Sequence, residues 1–211
     1  GKQNLCGLAS AARADIFVEN FRPGSMARHG LDFESIRAVS PRIVYVSISA
    51  FGQNGPHGSR PGFDDVIQAT SGFMSINERG DGPIRTGGPV LDYATGMHTV
   101  AATLAAVMLG ASSGEAQRVD VAMQDVTMLL VNRQATIAAT SGVNIPPGKD
   151  RDGPMLGRFE TRDGYVMLAG YLPRHQRSIC AALDLAEFAE MGGKALAERA
   201  DELERAVEDA I

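Results

Sequence analysis

The run Ile43-Val44-Tyr45-Val46-Ser47-Ile48-Ser49 constrains this chain more than any other stretch. It is mostly β-branched or aromatic, with Ser47 and Ser49 its only strongly polar residues, so it reads as a strand of the apolar kind found in parallel sheets. A second run, Ile16-Phe17-Val18-Glu19-Asn20, lies upstream and ends at the turn signal Arg22-Pro23-Gly24. Between them Ser25 to Arg28 and Asp32 to Arg37 read as two short helices, the second with Asp32 as its N-cap and Pro41 beyond its end. Strand, helical crossover and strand make a βαβ unit, and the fold class that follows is α/β.

The rest of the chain extends that pattern. Leu5 to Ala14 reads as a helix, Asp64 to Met74 as another, and the glycine-rich crossing Gly80 to Gly88 leads into a helix that runs to about Gly110. Arg118 to Met123 is a further strand and Asp125 to Ala139 a further helix. From Gly142 to Gly157 the composition turns to proline, glycine and charge, which marks a boundary. We therefore expect a large domain over 1–142 with a Rossmann-like parallel sheet and flanking helices. A linker over 143–157 and the start of a smaller α+β domain over 158–211 follow it. In that last part Thr161-Arg162-Asp163-Gly164 lies between two short strands, a strong hairpin signal. Helices are expected over Arg174 to Leu183 and over Lys194 to Ile211, the latter with Leu196, Leu203, Val207 and Ile211 on one face and acids on the other.

Composition excludes several classes of function. No stretch reaches the eighteen or so uninterrupted apolar residues of a membrane helix, and the N-terminus lacks a signal-peptide layout, so a cytoplasmic protein without a membrane partner is expected. Cys6 and Cys180 are far apart, and the four histidines are scattered, so neither a disulfide framework nor a metal site is indicated. The net charge of −5 is concentrated at the end of the chain: nine acids and three bases from Asp184 to Ile211 leave about +1 for everything before. No basic stripe interleaved with aromatics points to nucleic acid.

Within this frame the stretch from Gly87 to His98 stands out. After Asp92, the residues Met97, Val100, Ala101, Leu104, Ala105, Val107 and Met108 recur at helical spacing, which places Asp92 at or beside the N-cap, where the helix dipole favours an ionised carboxylate. Capping is the ordinary role of such an Asp. Gly87, Gly88 and Gly96 around it leave backbone clear for a ligand, which keeps a second role open.

In open parallel sheets the ligand crevice lies beyond the carboxyl ends of the strands, here Asn20 to Gly24 and Ala50 to Gly58. Neither segment matches the phosphate-binding P-loop or the dinucleotide GxGxxG pattern. A phosphate would have to be held by side chains, and Arg22, Arg28 and Arg60 are the candidates.

Four blocks taken together carry a family resemblance: Asp15-Ile16-Phe17-Val18-Glu19-Asn20-Phe21-Arg22-Pro23-Gly24, Ser47-Ile48-Ser49-Ala50-Phe51-Gly52-Gln53-Asn54-Gly55-Pro56, Arg60-Pro61-Gly62-Phe63-Asp64, and Asp92 with Gly96. In order and spacing they resemble the class III CoA-transferases, the family of formyl-CoA transferase. Weaker similarity continues through Thr161 to Gly170. The resemblance implies an acyl-CoA:carboxylate CoA-transferase in which Asp92 is the nucleophile, passing through a mixed anhydride and an aspartyl-CoA thioester. It implies coenzyme A, as acyl-CoA substrate, held at Asn20, Phe21, Arg22, Arg28, Arg60 and Phe63, with Phe21 or Phe63 against the purine or the thioester channel. It further implies a carboxylic acid as second substrate, no metal, and an interlocked homodimer in which Lys194 to Ile211 faces a partner or a further segment.

Two alternatives accompany that reading. The racemase branch of the family carries a His after the glycine that matches Gly62, where this chain has Phe63, and a later Glu near Gly170 to Arg174, where no acid stands. Family members are also much longer, so the chain reads as a truncated member, and a catalytically silent CoA-binding or assembly fragment is the other alternative. A mobile glycine-rich loop of the family matches Asn144 to Gly157, although the glycine run itself is absent.

Overall fold

The structure, a computed structural model, describes residues 2–77, 82–142 and 151–211. They belong to two compact units, Gly1–Ile145 and Pro146–Ile211. The first runs α1 (Lys2–Ala11), β1 (Ile16–Glu19), α2 (Ser25–Arg28), α3 (Phe33–Val39), β2 (Val44–Ser49), α4 (Asp64–Thr70), a 3-10 turn (Ser75–Asn77), α5 (Val90–Ser113), β3 (Gln117–Ala122), α6 (Met123–Leu130) and α7 (Asn132–Ser141). Its three strands are parallel in the order β1-β2-β3, with Val18 opposite Val46 and Ile48 opposite Val121. The expected βαβ unit is present, and β2 is the central strand that its apolar run demanded.

The two faces of β2 meet different partners. Ile43, just before the strand, and Tyr45 pack with Ala11 of α1 and Ile36 of α3, and Phe17 stacks on Tyr45 with ring centroids 5.1 Å apart. On the other face Val44, Val46, Val119 and Val121 meet Ala94, Ala102 and Ala106 of α5. Small side chains along this seam let the helix lie close to the sheet. Thr95, Thr99 and Thr103 each donate a hydroxyl hydrogen bond to the carbonyl four residues back, at 2.6, 2.8 and 2.7 Å, so burial leaves none of these hydroxyls unpaired.

Helix α5 runs against the strand direction. Leu91 clusters with Ala50, just past the carboxyl end of β2, while Gly110 lies against Gln117 at the start of β3. The first turn of α5 therefore stands at the ligand-bearing end of the sheet. By length and composition alone α5 is apolar enough to cross a membrane. Its alanine seam instead makes it one cover of a parallel sheet. Only 22% of that stretch is buried within this chain, and Tyr93, Met97, Val100, Leu104 and Met108 form an exposed apolar stripe. Ile16 and Val18 on edge strand β1 are exposed as well.

The second unit contains β4 (Arg151–Gly153), β5 (Leu156–Thr161), β6 (Gly164–Ala169), α8 (Pro173–Ala182), α9 (Ala186–Ala189), α10 (Gly193–Glu198) and α11 (Ala200–Ala210). The strands are antiparallel, and Thr161 opposite Gly164 gives the two-residue hairpin over Arg162-Asp163. The core is Met155, Phe159, Cys180, Phe188, Leu196, Leu203 and Val207.

Several expected boundaries differ. The segment 125–139 is two helices parted at Val131, whose side chain is drawn into a cluster with Ile67 and Leu91. The segment 194–211 is likewise α10 and α11. They meet at Arg199, which pairs with Glu187 at 3.2 Å and with Glu202 and lies over the Phe188 ring at 4.7 Å. Leu203 and Val207 are buried inside this unit, so the apolar stripe of the acidic helix is already occupied there. Of the expected linker, 143–150 lie outside the described residues, as do 80–81 of the glycine-rich crossing, and 151–157 carry β4 and the start of β5.

Gly62 is a position of close approach: a Cβ there would stand 2.6 Å from Ala50 Cβ and 3.3 Å from the Phe51 ring. Gly62→Ala is expected to destabilise the protein by about 1–3 kcal/mol through overpacking. Thermal unfolding checks this, and an unchanged Tm would show that the loop yields.

Candidate active site

Helix α5 opens without a cap of its own, since Pro89 precedes its first residue and supplies no side-chain hydrogen bond. Its free amides are satisfied from another element. Asp64, the first residue of α4, is buried, and its Oδ2 accepts from the N–H of Leu91 at 2.8 Å and of Asp92 at 3.1 Å. Asp64 Oδ1 accepts from the Gln68 side-chain amide one turn along, and Gln68 Oε1 accepts from the N–H of Thr86 at 3.0 Å. The Thr86 hydroxyl donates to the Gly88 carbonyl at 3.2 Å. One run of hydrogen bonds thus joins α4, the segment before α5 and the first turn of α5. Bonds to a charged acceptor of this kind contribute about 1.5–3 kcal/mol each.

This arrangement corrects the expectation for Asp92. The helix begins at Val90, so Asp92 is its third residue, and the place of an anion at the free amides is taken by Asp64. The Asp92 carboxyl is consequently held above its ordinary pKa, first by loss of water and then by the negative charges of Asp64 and Asp65. Asp65 is itself paired with Arg85 at 2.8 Å. The helix dipole, which alone would favour the ionised form, is outweighed.

Asp92 is nonetheless exposed, as are the neighbouring side chains of Tyr93 and Met97. A Cβ at Gly87, Gly88 or Gly96 would meet nothing within 4 Å, and none of the three has a positive φ. Neither packing nor backbone geometry calls for glycine there, and the bare backbone leaves room beside the carboxyl.

The other candidate residues lie on the loops that leave β1 and β2. Asn20 Nδ2 donates to the Ile48 carbonyl at 2.9 Å and ties the two strand ends together. Buried Glu19 accepts from the Phe21 N–H at 2.9 Å, pinning the turn from which Phe21 and Arg22 project, and Phe21 is exposed. Arg22 lines a cavity of about 240 Å³ with Tyr45, Ser47, Gln53 and Arg118, on the sheet face opposite α5. Burial and the charge of Glu19 push the Tyr45 hydroxyl up to about 12, so it stays protonated and donates to the Leu31 carbonyl at 3.1 Å. Arg28 donates to Ser25 Oγ at 2.9 Å at the end of α2.

Arg60 lies over the Phe51 ring, 5.6 Å from its centroid, and Phe63, next to Asp64, is 78% exposed. Phe51 packs on the cluster of Ala50, Ile67 and Leu91, so Arg60, Phe63, Asp64 and Asp92 belong to one side of the crevice. Arg22 belongs to the other. A ligand touching both Arg22 and Asp92 must cross the carboxyl ends of β1 and β2. Exposed guanidiniums and exposed aromatic rings on these loops suit a long molecule with phosphates at one end and a purine, as in coenzyme A.

Asp64 is the residue that pattern reading assigned only to a helix start. Its signal was an acid directly after Pro61-Gly62-Phe63 with a Gln four residues on. Asp120 is a second: its Oδ2 accepts from the Gln53 N–H at 3.0 Å and holds the loop after β2. Among the described residues no group of three or more His, Cys, Asp or Glu side chains is placed to hold a metal ion.

A surface carboxylate in the first turn of a helix, beyond the carboxyl end of a parallel sheet and beside loops bearing arginine and aromatic side chains, defines an α/β protein suited to an elongated anionic ligand. The sequence profile of CoA-transferase family III matches residues 1–211, and the chain belongs to that family. It is 36% identical over 181 residues to a succinate–glutarate CoA-transferase of Agrobacterium fabrum, covering 84% of this chain and 45% of that protein. It is 34% identical to a probable fatty acyl-CoA transferase of Mycobacterium tuberculosis, covering 98% of this chain and 57% of that protein. A solved structure of a Mycobacterium tuberculosis protein matches with a TM-score of 0.85 at 29% identity, over 99% of this chain and 58% of that one. The chain spans about half the length of the curated relatives it matches.

The raised pKa of Asp92 has a consequence for stability. A group whose folded pKa lies above its unfolded one contributes stability below the unfolded value and loses it as pH rises through the folded value, so at neutral pH the Asp92 charge is a cost. Asp92→Asn is therefore expected to unfold at the same or a higher temperature than the parent at pH 7, with the difference vanishing as the pH falls below the ordinary carboxylate range. A lower Tm at pH 7 would restore Asp92 to the role of a cap.

Proposed function

We propose that this chain carries the nucleophile and part of the coenzyme A site of an acyl-CoA:carboxylate CoA-transferase. The observation that carries the reading is Asp92 itself, an exposed carboxyl at the ligand end of the sheet, bordered by backbone that no packing requires to be bare. Its carboxylate attacks the thioester carbonyl of the donor acyl-CoA, the C–S bond breaks, and CoA thiolate leaves an acyl–aspartyl mixed anhydride. The thiolate then attacks the aspartyl carbonyl, releasing the donor acid as carboxylate and forming an aspartyl-CoA thioester. The acceptor carboxylate attacks that thioester in turn, and return of the thiolate to the acceptor acyl carbon gives the new acyl-CoA and frees Asp92. Each step exchanges one acyl bond for another, and no redox or metal chemistry is called for.

Arg22, Arg28 and Arg60 take the phosphates in this reading, Phe21 and Phe63 the purine or the thioester arm, and Asn20 holds the strand ends that present them. The high proton affinity of the Asp92 carboxyl makes it the more basic nucleophile, and ionisation sets the acid limb of its pH profile. Phe63 cannot carry a proton to or from an α-carbon, which favours transfer over racemisation of a 2-methylacyl-CoA. The relatives' names speak of succinate, glutarate and fatty acyl groups, and an acyl-CoA with a free carboxylic acid is the substrate pair proposed here. Work in the cytoplasm as an interlocked homodimer belongs to the same proposal, and the exposed stripe of α5 supports an associated state.

The test is covalent trapping: incubation with succinyl-CoA followed by hydroxylamine should leave a hydroxamate at Asp92, read by mass spectrometry, and Asp92→Asn should leave none. Hydroxamate at another residue, or solvent deuterium at the α-carbon without any adduct, would overturn the proposal. Gly96→Ala supplies an independent check. Replacing a glycine inside α5 with nothing near its Cβ should stabilise the fold by about 0.5–1 kcal/mol. The same methyl crowds the approach to Asp92 and should slow trapping. Unslowed trapping would show that the ligand comes from elsewhere.

A further inference from the structure

Asp64 does more than cap a helix. It is buried at 6% exposure, it bonds the backbone N–H of Asp92 directly, and it follows Phe63 and Arg60 on the loop assigned above to the acyl-CoA. Its second oxygen reaches Thr86 through Gln68, so the segment that delivers the chain to Asp92 is fixed by the same carboxylate. A local cap at position 89 could have satisfied the amides of α5 without linking that loop to the nucleophile. We propose that Asp64, acting with Gln68, is the positioning residue that holds the Asp92 carboxyl in register with the loop that binds the acyl-CoA. The inference rests on the reading of Asp92 as nucleophile. Asp64 touches no substrate; it acts through the backbone of α5. Its role is geometric, because near-attack placement within a fraction of an ångström governs the rate of attack on a thioester.

The test compares the parent chain with D64A and with the exchange D64N/Q68E. In the exchange, the asparagine offers its carbonyl oxygen to Leu91 and Asp92 and its amide to the new glutamate, which still accepts from Thr86, so the run of hydrogen bonds is rebuilt with the charge moved one turn. Three quantities are read: the rate of hydroxamate formation at Asp92 with succinyl-CoA, the affinity for CoA, and hydrogen exchange at the Leu91 and Asp92 amides. For D64A, trapping should slow about 100-fold while CoA affinity changes little and the two amides lose protection. For D64N/Q68E, protection and most of the trapping rate should return. If D64A fails to fold, D64N takes its place: it keeps an acceptor for the two amides and breaks the link to Gln68, so trapping should slow while the amides stay protected, and an unslowed rate overturns the proposal.

The proposal is overturned if D64A traps at the parent rate, if affinity for CoA falls in step with trapping, or if the exchange variant recovers nothing. Should the parent chain itself give no hydroxamate, the nucleophile reading falls. Amide exchange then still decides the positioning role, because unchanged protection of Leu91 and Asp92 in D64A would end it.

Discussion

A single buried carboxylate joins the parts of the first unit that matter for its chemistry. Asp64 meets two amides of α5 and, through Gln68, the backbone at Thr86. The close approach of Gly62 to Ala50 sets the depth at which that carboxylate enters, since it seats the preceding loop against the end of β2. The packing of Ile67, Leu91 and Val131 then buries the junction. A charge so buried is tolerable because its oxygens accept hydrogen bonds from three donors, two backbone amides and the Gln68 side chain.

The cost of the arrangement is felt next door. Asp92 stands at a helix start that ordinarily welcomes negative charge, yet that place is already taken by Asp64, and Asp65 adds to the repulsion. A group that is poorly accommodated as an anion gains by forming a bond that removes its charge, and an acyl group removes it as well as a proton does. In the proposed reaction, stability and reactivity therefore pull against each other at this residue.

What could be read from residues alone divides along one line. Strands 16–19, 44–49 and 117–122 follow local runs of β-branched residues, so their existence and parallel pairing were legible, as was the hairpin at Thr161 to Gly164. Asp92, Arg22, Arg60 and the exposed phenylalanines were legible as candidates through four sequence blocks, and Arg28 as a phosphate candidate beside the first of them. The breaks at Val131 and Arg199 were not, because each involves partners outside its own helix, a cluster with Ile67 in one case and Glu187 with the Phe188 ring in the other. Asp64 was missed for the same reason: the amides it holds lie 27 and 28 residues away, and that distance also hid the reversal of the charge argument at Asp92.

The stripe of Tyr93, Met97, Val100, Leu104 and Met108 governs how this polypeptide behaves in bulk solution. Its formal charge of −5 would ordinarily keep molecules apart, but about −6 of charge is carried by the residues from Asp184 to Ile211, remote in sequence from α5, and the remainder of the chain is close to neutral. Like-charge repulsion therefore has little to act on along the segment that bears the apolar face, and that face stays poorly wetted. For colloidal behaviour the expectation is that turbidity and light scattering respond to mild detergent more than to ionic strength, since an exposed hydrocarbon face and not unscreened charge is what would draw copies together.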